Sequence, residues 1–342
     1  MGCKQSKYDA VYLYYNNEGV LDGFALTHVD DLMHGSGGRD FQKNVMEPLK
    51  KKFKFGSEDR LEFRYVGMQV KQSNNCILVN QDHYLTSLEL PSPRKEKDQE
   101  LLDEEGQKEY RSLLGRIGWL GSHSRPDLVY DHIALSTKLG KATGADFAEA
   151  IRTGRKMIAT PTEMKFPALG NMSNWVMEVY GDAGFRSLPD KISSCGGQAV
   201  ILRDSTTNHA CVLNWKGRKL RRVVNSSTAA ETLASNEAVS EVIFLKSLLS
   251  EIFGADAFKI PVNLYTDSNN LKKSVHTTSM VDDPRLRTEI ACLKESLEKG
   301  EVNDFVLIPG NKMLANCMTK KGASAKDLLE CLRSGYLSNP ME

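Results

Sequence analysis

The order of elements in the second half of the chain constrains the fold most. Three strand-like runs, 175–186, 192–202 and 209–215, are followed by a long amphipathic helix over 226–252 that opens at Ser226-Ser227-Thr228. A strand at 261–266, helices at 268–276 and 284–299, a strand at 302–308 and a final helix after Pro309 complete the series. Three strands, helix, strand, helices, strand, helix predicts an α/β unit built on a mixed sheet. The first half reads differently. β-Formers at 10–17 and 22–29 flank Asn16-Asn17-Glu18-Gly19 and predict a hairpin that runs into Asp30-Asp31. Phe41, Val45, Met46, Leu49 and Phe53 recur with a helical period despite Pro48. Residues 61–71 and 75–79 predict a strand pair, 80–90 a short helix, and the polar, Pro-containing 91–100 a linker. From 105 to 162 the pattern is helical, with breaks near Ser124-Arg125-Pro126-Asp127 and Thr143-Gly144. Ser124 is placed to cap the helix after the first break, with Pro126 in its first turn.

Composition excludes several classes. At 342 residues, 40% of them hydrophobic, the chain suits roughly two folded domains and not wholesale disorder. No apolar run approaches the ~20 residues of a membrane span. The 45 basic and 44 acidic residues leave a net charge of +1, so a nucleic-acid surface has to come from local clusters. Seven scattered cysteines, with no CxxC pair and no secretory signal, predict reduced thiols in an intracellular protein, cytoplasmic or nuclear.

Three acids stand out. Asp182 lies inside the first strand of the second half, in Tyr180-Gly181-Asp182-Ala183-Gly184, where aspartate is unfavourable without compensation. Glu231 lies early on the long helix, and Asp267 ends the Val262–Thr266 strand. Acids on those three elements can converge above one sheet. Two divalent cations ~4 Å apart, magnesium or manganese by the hardness of oxygen donors, need several carboxylates and drive phosphodiester hydrolysis. Each acid also has an ordinary reading: Asp267 as a helix N-cap, Glu231 as an acid near a helix N-terminus, Asp182 in a β-bulge.

These words in this order resemble a family. Residues 175–322 resemble the ribonuclease H domain of copia-type LTR retrotransposon Pol polyproteins. The likeness rests on Tyr180-Gly181-Asp182-Ala183, Trp215 with a basic stretch after it, and Ser226-Ser227-Thr228-Ala229-Ala230-Glu231. It continues through Tyr265-Thr266-Asp267-Ser268, Arg285-Leu286-Arg287 and Met313 to Lys320. The resemblance implies that Asp182, Glu231 and Asp267 ligate metal. The family's last motif reads Ala-Asp, two residues, then Thr-Lys; here Asn316 stands at the aspartate. That makes Asn316 a degenerate fourth ligand and removes one negative charge.

The first half resembles the reverse transcriptase of the same polyproteins. His28-Val29-Asp30-Asp31 is similar to the polymerase Tyr-Val-Asp-Asp, and Tyr65-Val66-Gly67 to a Phe-Leu-Gly strand. Asn80–Tyr84, Tyr110–Gly115 and Ser124–Asp127 match words of the following helix, thumb and connection. The resemblance implies a truncated reverse-transcriptase palm at 1–90, a helical thumb or connection region at 91–170, a ribonuclease H-like domain with a mixed five-stranded sheet and flanking helices at 171–325, and a tail at 326–342. Asp30 and Asp31 then form an incomplete polymerase pair, since the third palm aspartate and the fingers precede this segment. No integrase or protease motif is present. Met1-Gly2-Cys3-Lys4-Gln5-Ser6 fits an N-myristoylation pattern, but Gly2 falls within the palm resemblance, which argues against it.

Two basic clusters are candidates for phosphate contacts: Lys50-Lys51-Lys52-Phe53-Lys54, and Lys216, Arg218, Lys219, Arg221 and Arg222 with help from Arg285 and Arg287. The expected partner is an RNA–DNA hybrid or another nucleic acid, with no membrane role. His123, His132 and His209 show no ligand spacing, and Trp119, Trp175 and Trp215 are expected in the core. Two functions remain open: a metal-dependent ribonuclease H, and a decayed or repurposed nucleic-acid-binding relic. An unrelated α/β protein, its acids serving as caps and turns, is the third and is disfavoured by the ordered resemblance.

Overall fold

The N-terminal strands follow the predicted hairpin and extend it. In the computed structural model, which describes residues 2–94, 97–254, 259–277, 281 and 283–340, Lys4–Gln5 (β1), Val11–Tyr15 (β2), Leu21–His28 (β3) and Asp31–Ser36 (β4) form one antiparallel sheet in that order. Ala25 packs there with Phe41, Val45 and Met46. The last two lie in a π-helical turn, Gln42–Met46, that continues into Glu47–Lys52 (α1). Pro48 lies inside this continuous helical run, directly after the π turn, where the Glu47 N–H reaches back five residues to the Gln42 carbonyl and the regular ladder is already interrupted. Gln5 pairs with Tyr12, so the segment after Met1, itself outside the described residues, is part of the sheet.

The run 61–71 is two strands. Glu62–Tyr65 (β5) and Met68–Gln72 (β6) reverse at Val66-Gly67, whose φ angles of 47° and 75° make a two-residue hairpin loop. Cys76–Asn80 (β7) and Asp82–Thr86 (α2) follow. Within the expected linker Lys95 and Glu96 lie outside the described residues. Glu104–His123 (α3), Val129–Ser136 (α4) and Gly144–Ala159 (α5) match the helical pattern. The first break is not made by a Ser124 cap: the Ser124 hydroxyl donates to Gln81 instead. Arg125, 1% exposed, organises it, donating to the Met157 and Thr160 carbonyls and bidentately to Asp127. Thr143 and Asp146 close the second break with a capping box. Met164–Pro167 (β8) then pairs with β7, so a strand from the region expected to be helical joins the sheet of residues 62–80.

The remaining strands are Trp175–Gly184 (β9), Cys195–Asp204 (β10) and Ala210–Lys219 (β11), followed by the helix Ser227–Phe253 (α6). Val262–Thr266 (β12), Asn269–His276 (α7), Pro284–Glu298 (α8) and Asp304–Leu307 (β13) complete the mixed sheet. The strand order is β11-β10-β9-β12-β13; β9, β10 and β11 are antiparallel, and β12 runs parallel to both β9 and β13. Ala230, Ala234 and Ala238 recur every four residues and form the buried stripe of α6. Small residues on both sides let α6 lie close: a Cβ at Gly196 would stand 3.5 Å from Ala234 Cβ. α6, α7 and α8 cover one face of the sheet.

The other face is covered by different elements. No helix follows Pro309 directly; two short 3₁₀ turns, Gly310–Lys312 and Leu314–Met318, precede the helix Lys326–Ser334 (α9). Residues 326–334, expected as a tail, bury Leu328, Cys331 and Leu332 beside Val129 of α4 and Ile201 of β10. Trp119, Trp175 and Trp215 are half-buried; Trp175 and Trp215 pack at the rims of the two clusters, not in them. Their amphipathic rings keep a polar edge: Trp215 Nε1 donates to the Gly121 carbonyl at 2.7 Å. All seven cysteines are free. No described helix is long and apolar enough to cross a membrane.

Candidate metal centre

Each acid reaches the centre for a local reason. Asp182 sits on β9 opposite Gly197 of β10 in an unbroken register; the ladder irregularity lies elsewhere, between Val200 and Ile201 of β10 against β11. A bulge therefore does not explain it. Ser226 caps α6, accepting from Ala229 N, which leaves Glu231 beyond the first turn. Ser268, not Asp267, caps α7 by accepting from Leu271 N. Asp267 is thus left at the end of β12 with no capping role. One ligand atom from each of Asp182, Glu231 and Asp267 lies within 4.8 Å of the others.

The electrostatics are those of a site short of positive charge. Asp182 is fully buried and Glu231 is 7% exposed. Glu231 Oε2 is buried with no hydrogen-bond partner. Burial, then the charges of Asp182 and Asp267, push the Glu231 carboxyl up to about 9. Asp267 is raised by burial and by Asp182. An orphaned buried carboxylate oxygen beside two more carboxylates is costly unless a cation balances it. The donor set, oxygen throughout, suits a hard divalent ion.

The turn 314–318 and the two residues after it close the centre. Thr319 hydroxyl donates to Asp182 Oδ2. Lys320 Nζ donates to Asp182 Oδ1 at 3.1 Å and to Asn316 Oδ1 at 2.6 Å, while Asn316 Nδ2 donates to the Gly310 carbonyl at 2.6 Å. Asn316 is therefore beside the acids, with its amide oxygen turned to Lys320. Two glycines admit this segment: a Cβ at Gly197 would fall 2.7 Å from Thr319 Cγ2, and one at Gly184 would fall 2.1 Å from the Thr319 carbonyl. The parts played by Thr319, Lys320, Gly184 and Gly197 are not assigned from sequence. The Thr-Lys pair after Asn316 and Gly184, two residues after Asp182, were the available signal; Gly197, opposite Asp182 on the next strand, carried none.

The other expected residues lie apart. Asp30 and Asp31 are exposed at the β3–β4 hairpin, where Val29 has a φ of 55° and His28 pairs with Asp31. Among the described residues no group of three potential ligands includes them. The basic cluster is not one block. Lys216, Arg218 and Lys219 belong to β11, and Arg221 and Arg222 follow it, exposed. Arg218 pairs with Glu237, Lys219 with Asp190 and Arg222 with Glu289. Arg285 and Arg287 are exposed on α8, and Arg287 Nε donates to the Val281 carbonyl. At the first cluster, Lys50 is taken up by Glu58. A groove of about 740 Å³ between α4 and β11 is lined by Lys138, Lys141, Lys216, Arg218 and Lys219, with Asp190 as its acid.

Comparison with known proteins agrees with the motif reading at the level of ancestry. No protein-family profile matches the chain. Its curated homologues are retrovirus-related Pol polyproteins. The chain is 25% identical over 262 residues to that of transposon RE1 from Arabidopsis thaliana, covering 72% of this chain and 17% of the relative. It is 22% identical over 256 residues to a transposon Ty5-1 protein of Saccharomyces cerevisiae, covering 70% and 80%. The chain spans only about a sixth of the length of the two Arabidopsis relatives, at 17% and 16%. Among solved structures, LC11 RNase H1 in complex with RNA/DNA hybrid gives a TM-score of 0.31 at 20% identity, over 42% of this chain and 93% of that one. The foamy viral protease-reverse transcriptase in complex with dsDNA gives 0.45 at 13% identity, over 84% and 55%.

Proposed function

We propose that this chain is part of a copia-type transposon Pol polyprotein and that its second half is a ribonuclease H-type endonuclease acting on RNA–DNA hybrids. One observation carries the reading: three carboxylates from β9, α6 and the end of β12 lie within 4.8 Å, and the buried Glu231 Oε2 has no partner. Asp182, Glu231 and Asp267 would hold magnesium or manganese, two ions in all, with Asn316 a weak fourth donor once its amide oxygen is released by Lys320. When bound, such ions activate the attacking water and stabilise the leaving oxygen. The chain's own contribution is to hold the acids rigidly: Asp182 by the sheet register and the Thr319 hydroxyl, Glu231 by the packed α6. Lysines along the α4–β11 groove and the exposed Arg221, Arg222, Arg285 and Arg287 bind the phosphate backbone, an affinity that falls with salt. Asp30 and Asp31 are exposed and join no third acid among the described residues, so this chain is expected to extend no primer on a template. Extension by the purified chain, lost on substitution of Asp30 and Asp31, would refute this.

The second reading is a catalytically decayed nucleic-acid-binding relic. Asn316 in place of an acid, with Lys320 on Asp182, favours it. Cleavage of a labelled hybrid in magnesium and then manganese separates the two. The native chain is expected to cleave slowly, and Asn316→Asp to cleave about 10–100-fold faster by restoring a ligand charge. Hybrid binding without cleavage by either protein would establish the relic.

A further inference from the structure

Lys320 places a positive charge inside the carboxylate cluster. Among the described residues it is the cation paired with the fully buried Asp182, at 3.1 Å from Oδ1. Its own side chain is 43% exposed, so the stem approaches from the solvent side. Asn316, four residues earlier, accepts from the same ammonium at 2.6 Å and is itself held by the Gly310 carbonyl. Thr319 takes the other oxygen of Asp182. Both oxygens of Asp182 are thus engaged by consecutive residues of one segment, while Glu231 Oε2 is left without a partner.

We propose that Lys320 is a built-in counter-cation that competes with a divalent ion for Asp182, and that Asn316 holds it in place. The proposal rests on the metal-binding reading above and concerns how that site is filled. A carboxylate oxygen shared by an ammonium and a dication brings like charges together, and the interaction is screened little in a buried site. The lysine has to swing out for the ion to bind fully. Its long stem and half-exposed position permit that movement. The amide at 316 holds the ammonium through a neutral acceptor, a weaker hold than a charged one. Occupancy of the site is therefore set by an exchange of cations, one tethered and one free.

Manganese binding to the full chain, read from the electron paramagnetic resonance signal of free Mn²⁺, tests this without any nuclease assay. Lys320→Met keeps the stem and removes the charge, and is expected to bind Mn²⁺ about tenfold or more tightly than the native chain. Lys320→Arg keeps the charge and is expected to bind like the native chain. In thermal melts the Met variant is expected to lose stability without the ion and to gain more than the native chain when Mn²⁺ is added. Affinity of Lys320→Met that is unchanged or weaker overturns the counter-cation role and leaves the metal reading standing. Absence of Mn²⁺ binding by the native chain and by Lys320→Met overturns both.

Discussion

Replacing Asp182 by asparagine is expected to abolish hybrid cleavage while leaving the fold in place. The amide has nearly the shape of the original carboxylate and keeps an oxygen for the Thr319 hydroxyl. The substitution removes the charge of a fully buried group that faces both Glu231 and Asp267. A ligand worth several kcal/mol to the transition state corresponds to a loss of about 10³-fold in rate. The measurement is single-turnover cleavage of a labelled hybrid, with circular dichroism to show that the variant is folded. Chelation should silence the native chain to the same extent, and added manganese should restore it. A variant that keeps more than about a tenth of the native rate would show that the three acids are not the reacting centre.

Much of this centre was legible because its parts are local in sequence. An aspartate inside a strand marks Asp182, and a serine cap fixes where α6 starts and hence where Glu231 lies. Asp267 was ambiguous from sequence, because an acid before a helix reads as a cap. Only the bond from Leu271 N to Ser268 Oγ resolves it. What could not be read is contact between distant segments. Lys320 meets Asp182 across 138 positions of chain, and no periodicity encodes that. The same holds for β8 joining β7, and for α9 burying Leu328 and Leu332 where a tail was expected. Arg125 shows the limit of motif reading. It was a word in a resemblance, and it proves to be a buried scaffold that satisfies two helix-end carbonyls.

A second charge buried in the same sheet makes the largest expected change in stability. Glu178 of β9 is fully buried and accepts from Arg203 of β10, at 2.8 Å from Nε and 2.6 Å from Nη2. Tyr180 Oη donates to its other oxygen at 3.0 Å, and Arg203 Nη1 donates to Asn208 Oδ1 at 2.7 Å. Sheet geometry makes the contact, since Glu178 is paired with Ile201, two residues from Arg203 on the same face. Arg203→Met leaves a buried carboxylate without its cation and should cost about 3–5 kcal/mol. Glu178→Met with Arg203→Met removes both charges and should recover most of that loss, because a buried pair contributes little net stability. Glu231, Asp267 and Glu178 have one trend in common: burial raises each above its ordinary value. For Glu178 the arginine partly reverses the rise, so its removal raises the carboxyl further. A raised acid favours folding fully below its unfolded value and loses that advantage as pH rises through the folded one. The Arg203→Met penalty is therefore smallest in acid and grows toward neutral pH. Urea melts at several pH values on native, single and double variants measure it. A penalty independent of pH, or a double variant as unstable as the single one, would mean that Arg203 acts through its packed stem and its bond to Asn208, not through its charge.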